Sequence, residues 1–160
     1  ISNFSRPGLE SHHNLRYWQR RPYLGIGLDA SSMLRGLPEA ADTRKVGYVL
    51  RSSTPADLKA YLEGAEQPEI TWLSTARQHE EAWFLGLRLN AGIGITALRS
   101  EFGPAMVQPA LETAKRLAEG DLLTLAGDTV RLTAKGRLLS NDVFQEFLAA
   151  ESASERLAAC

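Results

Sequence analysis

A chain of 160 residues with 44% apolar side chains can fill one ordinary domain or two small ones. Its charged residues, 23% of the total, sum to a net charge of -1, so no global field draws it toward nucleic acid or anionic lipid. No apolar run is long enough to cross a bilayer, the start lacks a basic-then-apolar leader, and the single cysteine, Cys160, excludes an internal disulfide and any complete cysteine-held metal site.

A cytoplasmic location is therefore expected. Ile1 reads as the middle of an extended segment, with no initiator methionine, so a longer parent protein is expected too.

The first third is dense in Gly, Pro and aromatic residues. His12 to Gln19 has room for one or two helical turns, confined by Pro7 and Gly8 before it and Pro22 after it. Tyr23 to Leu28 reads as a buried strand containing two glycines, and Val46 to Leu50 as a second strand. At Thr54 the period changes. Thr54 and Pro55 resemble an N-cap followed by proline at the first helical position, with Leu58, Tyr61 and Leu62 on one face and Gly64 as the stop.

Ile70 to Leu73 is extended, and Thr75 with Gln78 has the spacing of a capping box. The helix it opens carries Ala82, Leu85 and Leu89 on one face and is expected to run to about Asn90. Gly86 within it costs roughly 1 kcal/mol against alanine, which points to a close contact at that position. Thr96 to Phe102 and Met106 to Glu119 read as two helices separated by Gly103 and Pro104. Leu123 and Leu125, a turn at Gly127 and Asp128, then Val130 and Leu132 give a hairpin. Thr133 caps a final helix that uses Leu138, Leu139, Val143, Phe144, Phe147 and Leu148, and the tail beyond Ala150 is expected to fray. Helix, helix, hairpin, helix is a winged-helix-like order.

The residues richest in chemistry are His13, Asn14, Tyr17 and Trp18. On a helix, His13 and Tyr17 stand one turn apart on one face, and Asn14 and Trp18 share the neighbouring face. An imidazole can ligate iron and an aromatic wall can cover a flat apolar ligand, which suits a porphyrin. The same residues also fit a bland reading as hydrogen-bonded packing groups, and spacing alone favours that one. His12 is an additional histidine that is not counted as a ligand. Gly25 to Ser32 reads as a strand running into a small-residue loop, where glycines allow a close backbone approach to a ligand or to a neighbouring strand. Arg88 is a candidate for a salt bridge, or for a carboxylate-bearing ligand. Glu80 and Glu81 beside His79 are of types that do acid–base or metal chemistry, but on a helix surface such a charged run is usually solvated.

The run from His13 to Trp18 resembles the H-N-x-x-Y-W motif of HemW-type haem chaperones, a branch of the oxygen-independent coproporphyrinogen III oxidase family of radical-SAM proteins. Ile1 to Gly8 resembles the segment before that motif. Leu85 to Gly92 and Val130 to Phe147 resemble the family's C-terminal domain. The resemblance implies an α/β start formed by the last strands of a partial radical-SAM barrel (1–53), a linking helix and strand (54–74), a helical winged-helix-like C-terminal domain (75–150) and a tail (151–160).

The resemblance further implies haem or porphyrin as ligand, with His13, Asn14, Tyr17 and Trp18 as binding candidates and His13 as the possible iron ligand. Gly25, Gly27, Asp29 and Ala30 would lie on the S-adenosylmethionine side of the barrel, although Asp29 and Ser31 depart from the glycine and histidine typical of the chaperone branch. A 4Fe–4S cluster and S-adenosylmethionine would be held by a missing N-terminal radical-SAM half, and the haem would pass to an acceptor protein. Alone, this part is expected to be catalytically silent. Within the family the alternative is oxidative decarboxylation of coproporphyrinogen III, against which the His13 to Trp18 run argues. A winged-helix nucleic-acid module is disfavoured because Lys115 and Arg116 are offset by Glu112 and Glu119. A purely structural lid over residues 75–150 is compatible with the haem reading.

Overall fold

A computed structural model describes residues 5, 6, 8–35, 47–64 and 68–148. The expected strand start at Val46, the tail with Cys160, and most of the segment before the His13 motif lie outside the described residues. In chain order the elements are α1 (His12–Trp18), β1 (Ser31–Arg35), β2 (Val49–Ser53), α2 (Leu58–Glu63), β3 (Glu69–Leu73) and α3 (Thr75–Gly86). They continue with β4 (Ile93–Gly94), α4 (Ile95–Phe102), α5 (Pro104–Glu119), β5 (Leu123–Ala126), β6 (Thr129–Leu132), α6 (Ala134–Leu138) and a further helix, α7 (140–148). The fold is α/β. Two units form: Arg21–Gln78, and the residues up to Arg20 together with those from His79 onward.

In the first of these units a three-stranded sheet has the order β1-β2-β3, with Met33 opposite Arg51 and Leu50 opposite Trp72. Both pairings are antiparallel. Tyr23 to Leu28 is not the buried strand expected. Tyr23 makes an isolated antiparallel bridge to Met33, while Leu24 and Ile26 are 69% and 87% exposed. Gly27 and Asp29, at φ of 111° and 54°, take the chain out of the extended region and turn it back, so that Ser31 to Arg35 becomes the strand.

Thr54 does not cap a helix. Its hydroxyl accepts from the Ala30 N–H at 2.8 Å and donates to the Gly27 carbonyl at 2.6 Å, tying the turn together. The α2 cap is Asp57, whose carboxylate accepts from the Ala60 N–H at 2.8 Å, and Gly64 ends the helix in the left-handed region as expected. Leu58 and Leu62 are exposed rather than packed. Strand β3 forms where expected. Ser74, not Thr75, accepts from the first turn of α3, and the Gln78 amide donates to the Leu73 and Gly47 carbonyls.

In the second unit the core is built by Trp83, Leu87, Val107, Ala114, Val130 and Phe147, with neighbours from α4 and α7. The helix–helix–hairpin–helix order is present, and β4 joins the hairpin to make a sheet of order β4-β6-β5. Helix α3 stops at Gly86, short of Asn90. A Cβ at Gly86 would lie 2.7 Å from the Ile93 side chain, so the close contact expected there is with β4. Thr133 caps α6 as expected, accepting from the Gly136 N–H at 2.9 Å. Val143, Phe144 and Phe147 are buried as expected, but Leu138 is 87% exposed.

Gly136 separates packing from backbone conformation. A Cβ there would meet the Leu122 carbonyl oxygen at 1.9 Å, whereas one at Gly127, at φ 58°, would meet nothing within 4 Å. Gly136→Ala is expected to lower unfolding free energy by about 3 kcal/mol, and Gly127→Ala by about 1 kcal/mol. Urea denaturation followed by tryptophan fluorescence checks both values; equal effects would contradict the assigned contact.

Candidate functional site

Helix α1 forms because Ser11 satisfies its open end: the Ser11 hydroxyl accepts from the Asn14 N–H at 3.3 Å. Just before it, Gly8 sits at φ 82° and donates its N–H to the Glu10 carboxylate at 3.1 Å. The backbone N–H groups of Glu10 and Gly8, with a smaller contribution from His12, hold that carboxyl below its ordinary value. At the other end Gln19 and Arg20 donate their N–H groups to the Leu15 and Tyr17 carbonyls. Arg20 lies in the left-handed region at φ 52°, which stops the helix.

The helical reading of the motif is correct. His13 meets the Tyr17 ring edge-on, with centroids 4.8 Å apart and planes at 82°. His13 is exposed, while Asn14, Tyr17 and Trp18 are half-buried. No residue of α1 is fully buried. An exposed imidazole braced by an aromatic ring, with an indole one step round the helix, can offer a nitrogen to a metal and a flat wall to a planar ligand.

The residue just after this helix is fastened by a pair that sequence reading missed. The Arg20 guanidinium donates to both carboxylate oxygens of Glu101 on α4, at 3.2 Å and 2.6 Å. It also lies 5.2 Å from the centroid of the buried Phe102 ring. Phe102 in turn packs against His79, with ring centroids 5.1 Å apart. Glu101 and Arg20 are 81 positions apart, and no local signal joins them.

His79 is not part of a solvated charge run. It is fully buried, and its Nε2 accepts from the Trp83 indole N–H at 3.0 Å. Trp83 is stacked on Phe147 at 4.7 Å, so this histidine belongs to the core. Arg88 does not form the expected salt bridge among the described residues. Its guanidinium lies over Phe84 at 4.3 Å and near Phe144 at 5.1 Å, with a buried Nε that has no hydrogen-bond partner among the described residues.

The loop residues Gly25, Gly27, Asp29 and Ala30 fall in the other unit. Gly25 is there for space, since a Cβ would lie 2.2 Å from the Ser31 carbonyl oxygen. The loop N–H groups turn inward: Gly25 to the Ser32 hydroxyl, Asp29 to the Pro55 carbonyl and Ala30 to Thr54. The Asp29 residue is exposed.

The C-terminal domain of HemN matches as a family model over residues 73–139. The Heme chaperone HemW of Bacillus subtilis is 33% identical over 92% of this chain. The Heme chaperone HemW of Lactococcus lactis is 33% identical over the same share. The chain belongs to the HemW and HemN family. It spans 37% and 36% of those two relatives' lengths, a little over a third of each. Among solved structures, a radical SAM enzyme, the coproporphyrinogen III oxidase HemN of Escherichia coli, is similar with a TM-score of 0.54 at 20% identity, covering 79% of this chain and 28% of that one. The likeness to HemN is one of fold.

Helix α4, which carries Glu101, has its own start secured from the hairpin turn. The Asp128 carboxylate accepts from the Thr96 hydroxyl at 2.7 Å and from the Thr96 N–H at 2.8 Å. The Thr96 hydroxyl first, then its N–H and the charge of Arg99, hold the Asp128 carboxyl below its ordinary value. A carboxyl with a lowered folded pKa adds stability that is present above the ordinary aspartate value and is lost as pH falls below it. Asp128→Ala is therefore expected to lower the melting temperature at neutral pH and to flatten its decline under acid. Parallel acid limbs for the two proteins would contradict the assignment.

Proposed function

We propose that this protein binds haem or porphyrin at the α1 edge, as the C-terminal part of a haem chaperone that hands haem to an acceptor protein in the cytoplasm. The observation that carries the reading is the exposed His13 imidazole, braced by Tyr17 on a capped helix, in a chain whose relatives are named heme chaperones. In this reading His13 supplies the iron ligand and Trp18 the flat apolar wall. Asn14 and Tyr17 are the polar groups beside them.

A 4Fe–4S cluster and S-adenosylmethionine enter only through the parent protein. One cysteine cannot supply the thiolates of such a cluster, so its ligands are assigned to other parts of the parent. In the parent, residues 1–53 would form the end of a radical-SAM barrel and residues 75–150 a winged-helix-like domain. Gly25, Gly27, Asp29 and Ala30 would then face S-adenosylmethionine through the exposed Asp29 side, because the amides of Gly25, Asp29 and Ala30 are already bonded to Ser32, Pro55 and Thr54.

A nucleic-acid role for α5 finds little support in its charges. Lys115 pairs with Glu112 at 3.0 Å and Arg116 with Glu146 at 2.7 Å, which offsets the cations that would meet phosphate.

Ferric haem titrated into the protein is expected to give a shifted Soret band. His13→Ala is expected to weaken binding by about tenfold or more and to move the band toward that of free haem. An unchanged spectrum and affinity in His13→Ala would remove His13 as the ligand.

A further inference from the structure

We infer that Arg20 and Glu101 are positioning residues for the α1 edge, setting the angle at which His13 and Trp18 meet their ligand without touching it; this rests on the haem reading above. Helix α1 is seven residues long and buries none of them completely, so intrinsic helicity does little to hold its direction. Ser11 secures only the first turn. A tie at the other end fixes direction as well.

Arg20 provides that tie in three ways. Its left-handed backbone, φ 52° on a residue that is not glycine, is a conformation that surrounding contacts must hold. Its guanidinium makes a two-pronged bond to Glu101, which fixes the plane of the fork as well as its distance. The side chains of the pair are 14% and 30% exposed, so solvent screening acts on it less than on Lys115 and Glu112, which are 57% and 56% exposed. Finally, the fork rests on Phe102, which also packs against His79, and His79 is held by the Trp83 indole N–H. The α1 edge is thereby referenced to the most buried part of its unit. An ordinary surface ion pair has no such backing.

The test is a ferric haem titration of the parent sequence, His13→Ala, Arg20→Lys, Arg20→Glu and the exchanged pair Arg20→Glu with Glu101→Arg. Arg20→Lys keeps the charge, loses the fork and is the variant least able to disturb folding. It is expected to weaken haem binding several-fold and to shift the Soret maximum. Arg20→Glu is expected to weaken binding by about 10- to 100-fold, the range found when groups that orient a metal ligand are lost. The exchanged pair is expected to recover most of that loss together with the parent Soret maximum. Parent-like affinity and spectrum in both Arg20 variants, alongside lost binding in His13→Ala, would overturn the positioning role and leave the haem reading standing. Haem binding indifferent to His13 would remove both.

Discussion

The Arg20–Glu101 pair is the interaction on which the α1 edge depends. A seven-residue helix is marginal by itself, and contacts outside it must give it a reason to keep one orientation. A bidentate ion pair laid on an aromatic ring supplies that reason at short range, since the fork excludes most rotations that a single hydrogen bond would allow. Phe102 is buried, and the ring it meets, His79, cannot turn freely without breaking the bond from Trp83. Rigidity passes from the stacked Trp83 and Phe147 outward to the last residue of the first segment. Asp128 adds to it by holding the start of α4 through Thr96.

Much of the second unit was legible in the sequence, because its signals are local. Apolar residues of α5 recur at helical spacing and are buried: Val107, Ala110, Leu111, Ala114 and Leu117. Gly127 with Asp128 makes the hairpin turn, and Thr133 accepts from the first turn of α6. The motif helix was legible too, since His13 and Tyr17 meet as their spacing of four requires. Arg20 and Glu101 were invisible for the opposite reason. Either residue alone is an ordinary surface charge, and only the fold brings them together.

The other unit shows where local reading fails. Tyr23 to Leu28 has strand composition, yet a positive φ at Gly27 and Asp29 turns it into a loop whose apolar side chains face outward. Thr54 has the context of a helix cap, but its hydroxyl is taken by that loop, and Asp57 serves α2 instead. In both cases a competing hydrogen bond from a distant residue decided the outcome. The same accounting explains His79, which has the sequence neighbours of a solvated residue and the hydrogen bond of a core one. Arg88 follows suit, exchanging an expected acid partner for two phenylalanine rings.

The central claim, that a flat tetrapyrrole lies against α1, is tested most directly by magnetic resonance with a diamagnetic probe. Gallium protoporphyrin carries a large ring current, so protons stacked over its face move upfield while distant ones do not. With the tryptophan and histidine side chains assigned, the account predicts upfield shifts at His13 and Trp18, with the buried His79 and Trp83 nearly unmoved. Shifts centred on another part of the protein, or none at His13 and Trp18 at saturating porphyrin, would contradict it.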